Sequence, residues 1–396
     1  MRFFILACML VGIAQAFMVT SHPGPFSVTM RAKALTDEAR TDPFNNRFKR
    51  QVLLSVFWPL PNTTNCAQEV IPYMPPATAA SYGPLSQSAG LPATIFESFQ
   101  LDFCKLTKGC RGRTETMPRF PLILFSPGLG ESRLLYSATA KSIAAQGYIV
   151  ATIDHPYDAE VVEFPDGAVV RRNWTQGMEQ QLTEIRAADI SFALSELSHL
   201  TTSHPSSRDL PTAQIDFTRV IAMGHSVGGA AAAQALQQDR RIRGAINLDG
   251  RLFSPVLEPS SLRRRAGKTI VNGRPFLLLG REKHADEDPT WNQFWRSMLQ
   301  HGKPGQPAAM LGVAGTTHSS FTDLPALIGA LGLSDEDQSR VEGMLGVVRG
   351  ARMQQILAEL SSSFFTGAFG GGYRQLAEAV RGLEEVSVRN STLKVL

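Results

Sequence analysis

Cysteine is scarce in this sequence, with four in 396 residues. That density excludes a small domain stapled by disulfides. Cys8 falls in the leader described below, and Cys66, Cys104 and Cys110 lack the paired spacing of a zinc site, so no metal or other cofactor is expected. Export would permit one disulfide. Cys104 with Cys110 closes a small loop, Cys66 with either of them is equally allowed, and one thiol is left over. Charge of one sign is lacking too: 39 Lys and Arg stand against 35 Asp and Glu, a net +4. That excess is too mild to imply a nucleic-acid partner, and the basic runs Arg240–Arg243 and Arg263–Arg265 read as solvated faces. Repeats and low-complexity tracts are missing. No apolar run reaches the length of about 20 residues that a membrane-spanning helix needs. The one long apolar stretch is at the start, where Met1-Arg2, Phe3–Ala14 and the A-x-A sequence Ala14-Gln15-Ala16 form a secretory signal peptide. The mature chain is therefore expected to begin near Phe17 and to be secreted. The sequons at Asn62, Asn173 and Asn390 would then be glycosylation acceptors in a eukaryotic source.

What is present is an alternation of apolar runs with helical ones. Phe26–Arg31 and Gln51–Leu60 read as strands, separated by a stretch that ends in the polar Arg47-Phe48-Lys49-Arg50. From Asn62 to about Leu91, proline, serine, glycine and asparagine dominate, an excursion of loops suited to a cleft wall or lid. Six further apolar runs follow: Phe120–Phe125, Tyr148–Ile153, Val220–Met223, Ala245–Leu248, Pro275–Gly280 and Ala308–Val313. Tyr136–Gln146, Met178–Leu200 and the alanine-rich segment after Val227 read as helices between them. Right-handed crossovers then give an α/β fold with a mostly parallel sheet flanked by helices. Ser334 caps a helix start, Arg340–Ser361 reads as helical, and the tail after Gly370-Gly371-Gly372 is amphipathic to Leu383 and frays beyond. The organisation expected is a signal peptide (1–16), N-terminal strands and a loop excursion packed on the core (17–115), one catalytic core (116–370) and a C-terminal tail (371–396).

Chemistry concentrates at Gly224-His225-Ser226-Val227-Gly228. An apolar strand precedes this G-x-S-x-G sequence and a small-residue helix follows it, the context of a nucleophile elbow. The glycines are needed because a Cβ beside the strained serine would collide with neighbouring chain. A serine hydroxyl needs a base within hydrogen-bond reach and a group that orients the base. Among eight histidines, His318 lies just after the last core strand, where the base belongs. His225 must point away from the serine's side chain and suits packing, His155 could line the cleft, and His284 sits in a charged loop. For the acid, Asp249 ends the strand after the elbow helix, while Glu282 and Asp286 follow the next strand; spacing leaves all three open. The oxyanion hole needs two backbone N–H groups, one from Val227 and one from Leu129 in the turn Ser126-Pro127-Gly128-Leu129-Gly130.

Together, Phe125–Gly130 with Leu135-Tyr136-Ser137, Gly147–Ala151 with Asp154-His155, Gly224–Gly229, Asn247-Leu248-Asp249 and Thr317–Phe321 resemble the secreted, plasma-type platelet-activating factor acetylhydrolases and their fungal and bacterial relatives. The resemblance implies an α/β-hydrolase fold, a calcium-independent serine esterase, the acid at Asp249, and oxyanion donors at Leu129 and Val227. Pro127 stands where family members often carry histidine, and Val227 where they often carry an aromatic. The substrate implied is a short-acyl, chiefly acetyl, phospholipid ester, with contact to a lipid surface. A broad carboxylesterase, lipase or polyester hydrolase on the same triad, or a silent binding protein of this fold, are the other readings. No oligomeric interface is legible in the sequence.

Overall fold

A computed structural model describes residues 16–61, 66–105, 118–203, 214–254, 256–257 and 270–396. The leader up to Gln15, Asn62, Cys110 and Arg263–Arg265 lie outside the described residues. The strands of the main sheet are β1 (Phe26–Thr41), β2 (Lys49–Pro61), β3 (Phe120–Ser126), β4 (Ile149–Asp154), β5 (Ile215–His225), β6 (Ile242–Leu248), β7 (Phe276–Arg281), β8 (Ala308–Val313) and β9 (Val386–Ser391). They form a nine-stranded sheet in the order β9-β8-β7-β6-β5-β3-β4-β2-β1. Strands β3 to β8 run parallel to their neighbours, while β9 at one edge and the β1–β2 pair at the other are antiparallel.

The parallel strands are apolar at nearly every position because both of their faces are covered. With a side-chain period of two, Ile123 and Phe125 of β3 enter one core and Leu122 and Leu124 the other; β5 repeats this with Ile221 and Met223 against Val220 and Ala222. The first face is covered by α1 (Ser137–Ala144), α5 (Gly350–Thr366) and α6 (Arg374–Gly382). The second is covered by α2 (Glu179–Ser203), α3 (Val227–Gln238) and α4 (Pro289–His301). Helix α3 is buried all round, with alanine at Ala230–Ala233 and Ala235, and these small side chains let its axis come close to the sheet and to α2. Parallel strands put their C-terminal ends on one edge of the sheet, and the loops there bring distant parts of the chain together.

Three local readings change. The tail does not fray after Leu383: Val386–Ser391 pairs with β8 and covers an edge whose N–H and C=O groups would otherwise be open. The helix expected over Arg340–Ser361 breaks into Glu342–Leu345 and α5. The break is at Gly346, φ 72°, where a Cβ would come within 2.3 Å of the Gly315 carbonyl oxygen. The excursion after Asn62 is more ordered than its prolines suggested. Ala67–Pro72 pairs antiparallel with Phe99–Lys105, and Cys66 is disulfide-bonded to Cys104. Two short helices, Pro76–Ser81 and Gly83–Ser88, carry their prolines in the first turn, where a missing N–H costs no hydrogen bond. Glu163 caps the first of them through the N–H groups of Ala77 and Thr78.

Arg50, read in sequence as part of a polar stretch, has no exposed surface. Its guanidinium donates to both oxygens of Asp189 on α2 (2.6 and 3.2 Å), to Asp42 (3.0 Å) and to the Pro156 carbonyl (2.8 Å). Burial opposes the charge on Asp189, but Arg50 and His155 hold its carboxyl well below the usual carboxylate range. The pair therefore ties the β1–β2 hairpin to α2 with every charge matched. Arg50→Ala should lower unfolding free energy by about 3–5 kcal/mol, since Asp189 and Asp42 would stay buried without their cation. Denaturant titration of the two proteins checks this, and a loss near zero would show that the network contributes no net stability.

Candidate active site

Ser226 sits between the end of β5 and the start of α3 with φ 55° and ψ −126°, in the left-handed region that a side chain rarely adopts. The surroundings dictate it. A Cβ on Gly228 would fall 2.0 Å from the Ser126 carbonyl oxygen, one on Gly224 2.3 Å from the backbone of Gly228, and one on Gly250 2.1 Å from the Ser226 carbonyl oxygen. Thus the ends of β3, β5 and β6 pass one another at contact distance. The Ser226 N–H donates to the Leu248 carbonyl at 2.9 Å, which fixes the turn one residue from Asp249. Within this tightly buried edge Ser226 itself is half-buried.

Asp249 follows β6 with φ 48° and is buried. Its Oδ2 accepts from Nδ1 of His318 at 2.7 Å, and its Oδ1 accepts from the Arg281 N–H at 2.9 Å. Gly280 leaves room for this carboxylate, because a Cβ there would lie 2.6 Å from Oδ1. Burial works against the charge, yet contacts from His284 and His318 hold the Asp249 carboxyl well below the usual carboxylate range. Asp249 is therefore an anion wherever the protein is folded at ordinary pH.

His318 opens a 3-10 turn, His318–Phe321, directly after β8. The turn is fixed at both ends: the Thr317 N–H donates to Ser320 Oγ (2.8 Å), Thr317 Oγ1 donates to the Met344 carbonyl (2.5 Å) and Ser320 Oγ to that of Leu345 (2.6 Å). The imidazole side chain is 45% exposed. His225 is buried and faces away from solvent. Its Nε2 lies 3.1 Å from the His318 carbonyl, and since a carbonyl only accepts, that nitrogen carries a proton. Nδ1 of His225 lies 2.7 Å from the Tyr136 hydroxyl, so the residue before Ser226 braces the backbone of His318.

The turn after β3 is held by a cation that sequence reading did not single out. Arg186 of α2 is buried; it donates to the carbonyls of Pro127 (2.5 Å) and Gly128 (3.0 Å) and is paired with Asp158 through two short hydrogen bonds. A trans peptide points its N–H opposite to its C=O. Binding the Gly128 carbonyl therefore turns the Leu129 N–H away from Arg186. The Gly128 N–H is already engaged by Tyr136 Oη (3.0 Å) and Glu131 Oε2 (3.1 Å). Val227 is the first residue of α3, so its N–H lies at the positive end of that helix.

Other sequence candidates lie elsewhere. Glu282 is exposed, and Asp286 pairs on the surface with Arg389 at 2.9 Å. His155 does not line a cleft: it is buried between Ser126 Oγ and Asp189, each at 2.9 Å. His284 is no loop histidine in solvent but 4% exposed beside Asp249. Asn173 is exposed, and the half-buried Asn390 on β9 has its amide 3.9 Å from Met310 Sδ. No group of three or more His, Cys, Asp or Glu side chains that could hold a metal occurs among the described residues. No helix among them is long and apolar enough to cross a membrane. Tyr136 entered the sequence reading only as a helix start and part of a family-like stretch, Glu131 and Arg281 carried no signal, and Arg186 stood out only as a charge within a partly apolar helix.

Comparison with known proteins gives a consistent result. The chain matches the platelet-activating factor acetylhydrolase, isoform II, family over residues 13–164 and 169–337. A protein of Arthroderma benhamiae named as a probable 1-alkyl-2-acetylglycerophosphocholine esterase is 28% identical over 89% of this chain and 88% of its own length. The platelet-activating factor acetylhydrolase of Cavia porcellus is 27% identical over 55% of this chain, and the match spans 51% of that relative. Among solved structures, a ferulic acid esterase from Streptomyces cinnamoneus superposes with a TM-score of 0.70 at 26% identity, over 95% of this chain and all of the other. A strand–serine–helix turn on a mostly parallel sheet, matched along most of its length, has one reading: the chain belongs to the platelet-activating factor acetylhydrolase, isoform II, family and has the α/β-hydrolase fold.

Proposed function

We propose that this protein is a secreted serine esterase that removes a short acyl group, acetyl above all, from a phospholipid of the platelet-activating factor type. Ser226 is the nucleophile, His318 the general base and later acid, Asp249 the carboxylate that orients the imidazole, and the N–H groups of Leu129 and Val227 the oxyanion donors. The observation that carries this reading is the 2.7 Å contact between Asp249 and His318, on the sheet edge where the Ser226 turn opens.

With Nδ1–H given to Asp249, Nε2 of His318 is left as the acceptor for the serine proton. Attack of Oγ on the ester carbonyl moves charge onto its oxygen. The Leu129 N–H, aimed by Arg186, and the Val227 N–H at the head of α3 stabilise that charge. Collapse expels the alcohol, which takes its proton from His318 and leaves acyl-Ser226. Water then repeats the attack with His318 as base and releases the short acid.

An apolar cavity lined by Leu85, Phe96, Leu327, Val341 and Leu345 lies between the excursion helices and the segment that follows His318. It supports an apolar chain on the substrate and contact with the lipid surface that presents it, with the excursion as cleft wall. The Cys66–Cys104 disulfide supports an oxidising compartment, with the leader removed near Ala16, glycans at Asn62, Asn173 and Asn390, and one catalytic domain as the mature unit. The full-length match to a ferulic acid esterase favours a second reading, a broader carboxylesterase on the same residues. Rates on a short-acyl phospholipid, p-nitrophenyl esters and a polyester film separate the two.

Ser226→Ala should reduce ester hydrolysis by about 10⁴-fold or more and abolish labelling by an organophosphonate; activity that persists would remove Ser226 from the mechanism. Asp249→Asn is expected to lose about 10⁴-fold in kcat, whereas Glu282→Gln stays near wild type. The reverse pattern would move the acid to the following strand. Arg186→Lys keeps the charge but loses the two-carbonyl fork, and kcat should fall by about 10²-fold with KM nearly unchanged. An unaltered kcat in a folded variant would show that Arg186 does not aim the oxyanion donor.

A further inference from the structure

Asp249 has two oxygens, and the proposed mechanism uses only one. Oδ2 receives His318, while on the other side Nδ1 of His284 lies 2.8 Å from Oδ1. His284 comes from the turn after β7, is 4% exposed, and packs against Trp291 of α4 with ring centroids 4.1 Å apart and the planes tilted by 37°. Trp291 is fixed in turn by its Nε1–H to the Gly250 carbonyl at 2.8 Å. Nε2 of His284 lies 3.5 Å from Asp288 Oδ2. Both ring nitrogens are buried, and these approaches are charge contacts off the line of an aligned hydrogen bond. The groups facing the ring are thus Asp249 from the end of β6, Asp288 from its own turn and Trp291 from α4. Arg281 stands beyond the carboxylate, its Nη1 3.4 Å from Oδ2 and its Nη2 on Glu287.

We propose that His284 is a positioning residue for the esterase, a second, non-catalytic imidazole that grips the far oxygen of Asp249 and shares its negative charge with His318. The inference rests on the reading of Asp249 as the acid. Two consequences follow from the geometry. The carboxylate is hydrogen-bonded at Oδ1 by the Arg281 N–H, and the 2.8 Å charge contact with His284 adds to that hold, so Oδ2 stays directed at the catalytic ring. When His284 is protonated, as its two carboxylate neighbours favour against the opposing effect of burial, its cation competes with the imidazolium at position 318 for one anion. Activity therefore persists further into acid than a singly engaged Asp249 would allow.

The test is the pH dependence of kcat/KM on a soluble short-chain ester, for wild type, His284→Asn and His284→Leu. Asparagine keeps a donor near the Nδ1 position without a charge; leucine removes both. The expected result for His284→Asn is kcat at about pH 8 within about threefold of wild type, with the acid limb of the profile moved up by about one unit. His284→Leu should show the same shift and a drop in kcat of about tenfold or more with KM held. Stability gives a second readout with its own sign. A histidine whose proton affinity is raised on folding stabilises below its ordinary pKa and loses that contribution as pH rises, so the melting-temperature gap between wild type and His284→Asn should be wider at about pH 5.5 than at about pH 9. Should the leucine variant fail to fold, the asparagine profile and histidine NMR of Ser226→Ala, where one imidazole absent from the His284→Asn spectrum should titrate above the ordinary histidine range, still decide. An acid limb identical in wild type and His284→Asn, or a His284 imidazole (the one absent from the His284→Asn spectrum) that is neutral at about pH 6, overturns the inference. If Asp249→Asn is itself active, the acid assignment has failed instead, and the two failures are distinguishable.

Discussion

Ser226 is held in a left-handed conformation because three strand ends meet at contact distance, and the rest of the site follows from that crowding. Gly224, Gly228 and Gly250 are the positions where no side chain fits, since the carbonyls of Ser126 and Ser226 and the backbone of Gly228 occupy the space. The strain in the serine turn, of order 1–3 kcal/mol, is tolerated because the Ser226 N–H is bonded to the Leu248 carbonyl and the sheet beneath is buried on both faces. Close approach of β5 and β6 also brings Asp249 to the side of Ser226, and β7 and β8 then deliver Arg281, His284 and His318 around it.

A second theme is the burial of charge beneath the loops at the C-terminal edge of the parallel strands. Arg186 with Asp158 lies under the turn of Pro127 and Gly128, and Arg50 with Asp189 and Asp42 lies one layer further in, joined to Ser126 through His155. An unpaired buried ion is costly, so each is matched by carboxylates and carbonyls. Apolar side chains could fill the same volume, but they could not accept or donate to the backbone of a turn. Fixing the direction of a peptide carbonyl fixes the opposite N–H, and that is what a pre-organised oxyanion site needs.

The family match places these observations among esterases, and further ordered structure lies at the edges of the sheet. The excursion between β2 and β3 is a small disulfide-linked sheet with two short helices, and its apolar side faces the segment after His318. Tyr82 from this excursion accepts from the Ser132 N–H at 2.9 Å, and Tyr73 donates to Asp323 at 2.9 Å, beside the base-bearing turn. The excursion is thus mechanically tied to the turns that follow β3 and His318.

The sequence by itself determined whatever depends on near neighbours. An apolar run, two glycines around a serine and an alanine-rich stretch specify strand, tight turn and helix whatever lies beyond, and the alternation of such units specifies a parallel sheet. Tertiary structure decided the rest. Asp249, Glu282 and Asp286 each end or follow a strand, and only the packing of β6 against β7 shows that the first lies 2.7 Å from His318 while the last faces Arg389. Arg50 and His284 look solvated in sequence because a charged residue carries no mark of its partner, and Asp189 and Asp249, which meet them, lie far along the chain. The strand at Val386–Ser391 escaped notice for a similar reason: an edge strand is made by the neighbour whose open hydrogen bonds it completes. Local chemistry fixes where a chain can turn, and only long-range packing fixes which polar groups then face one another.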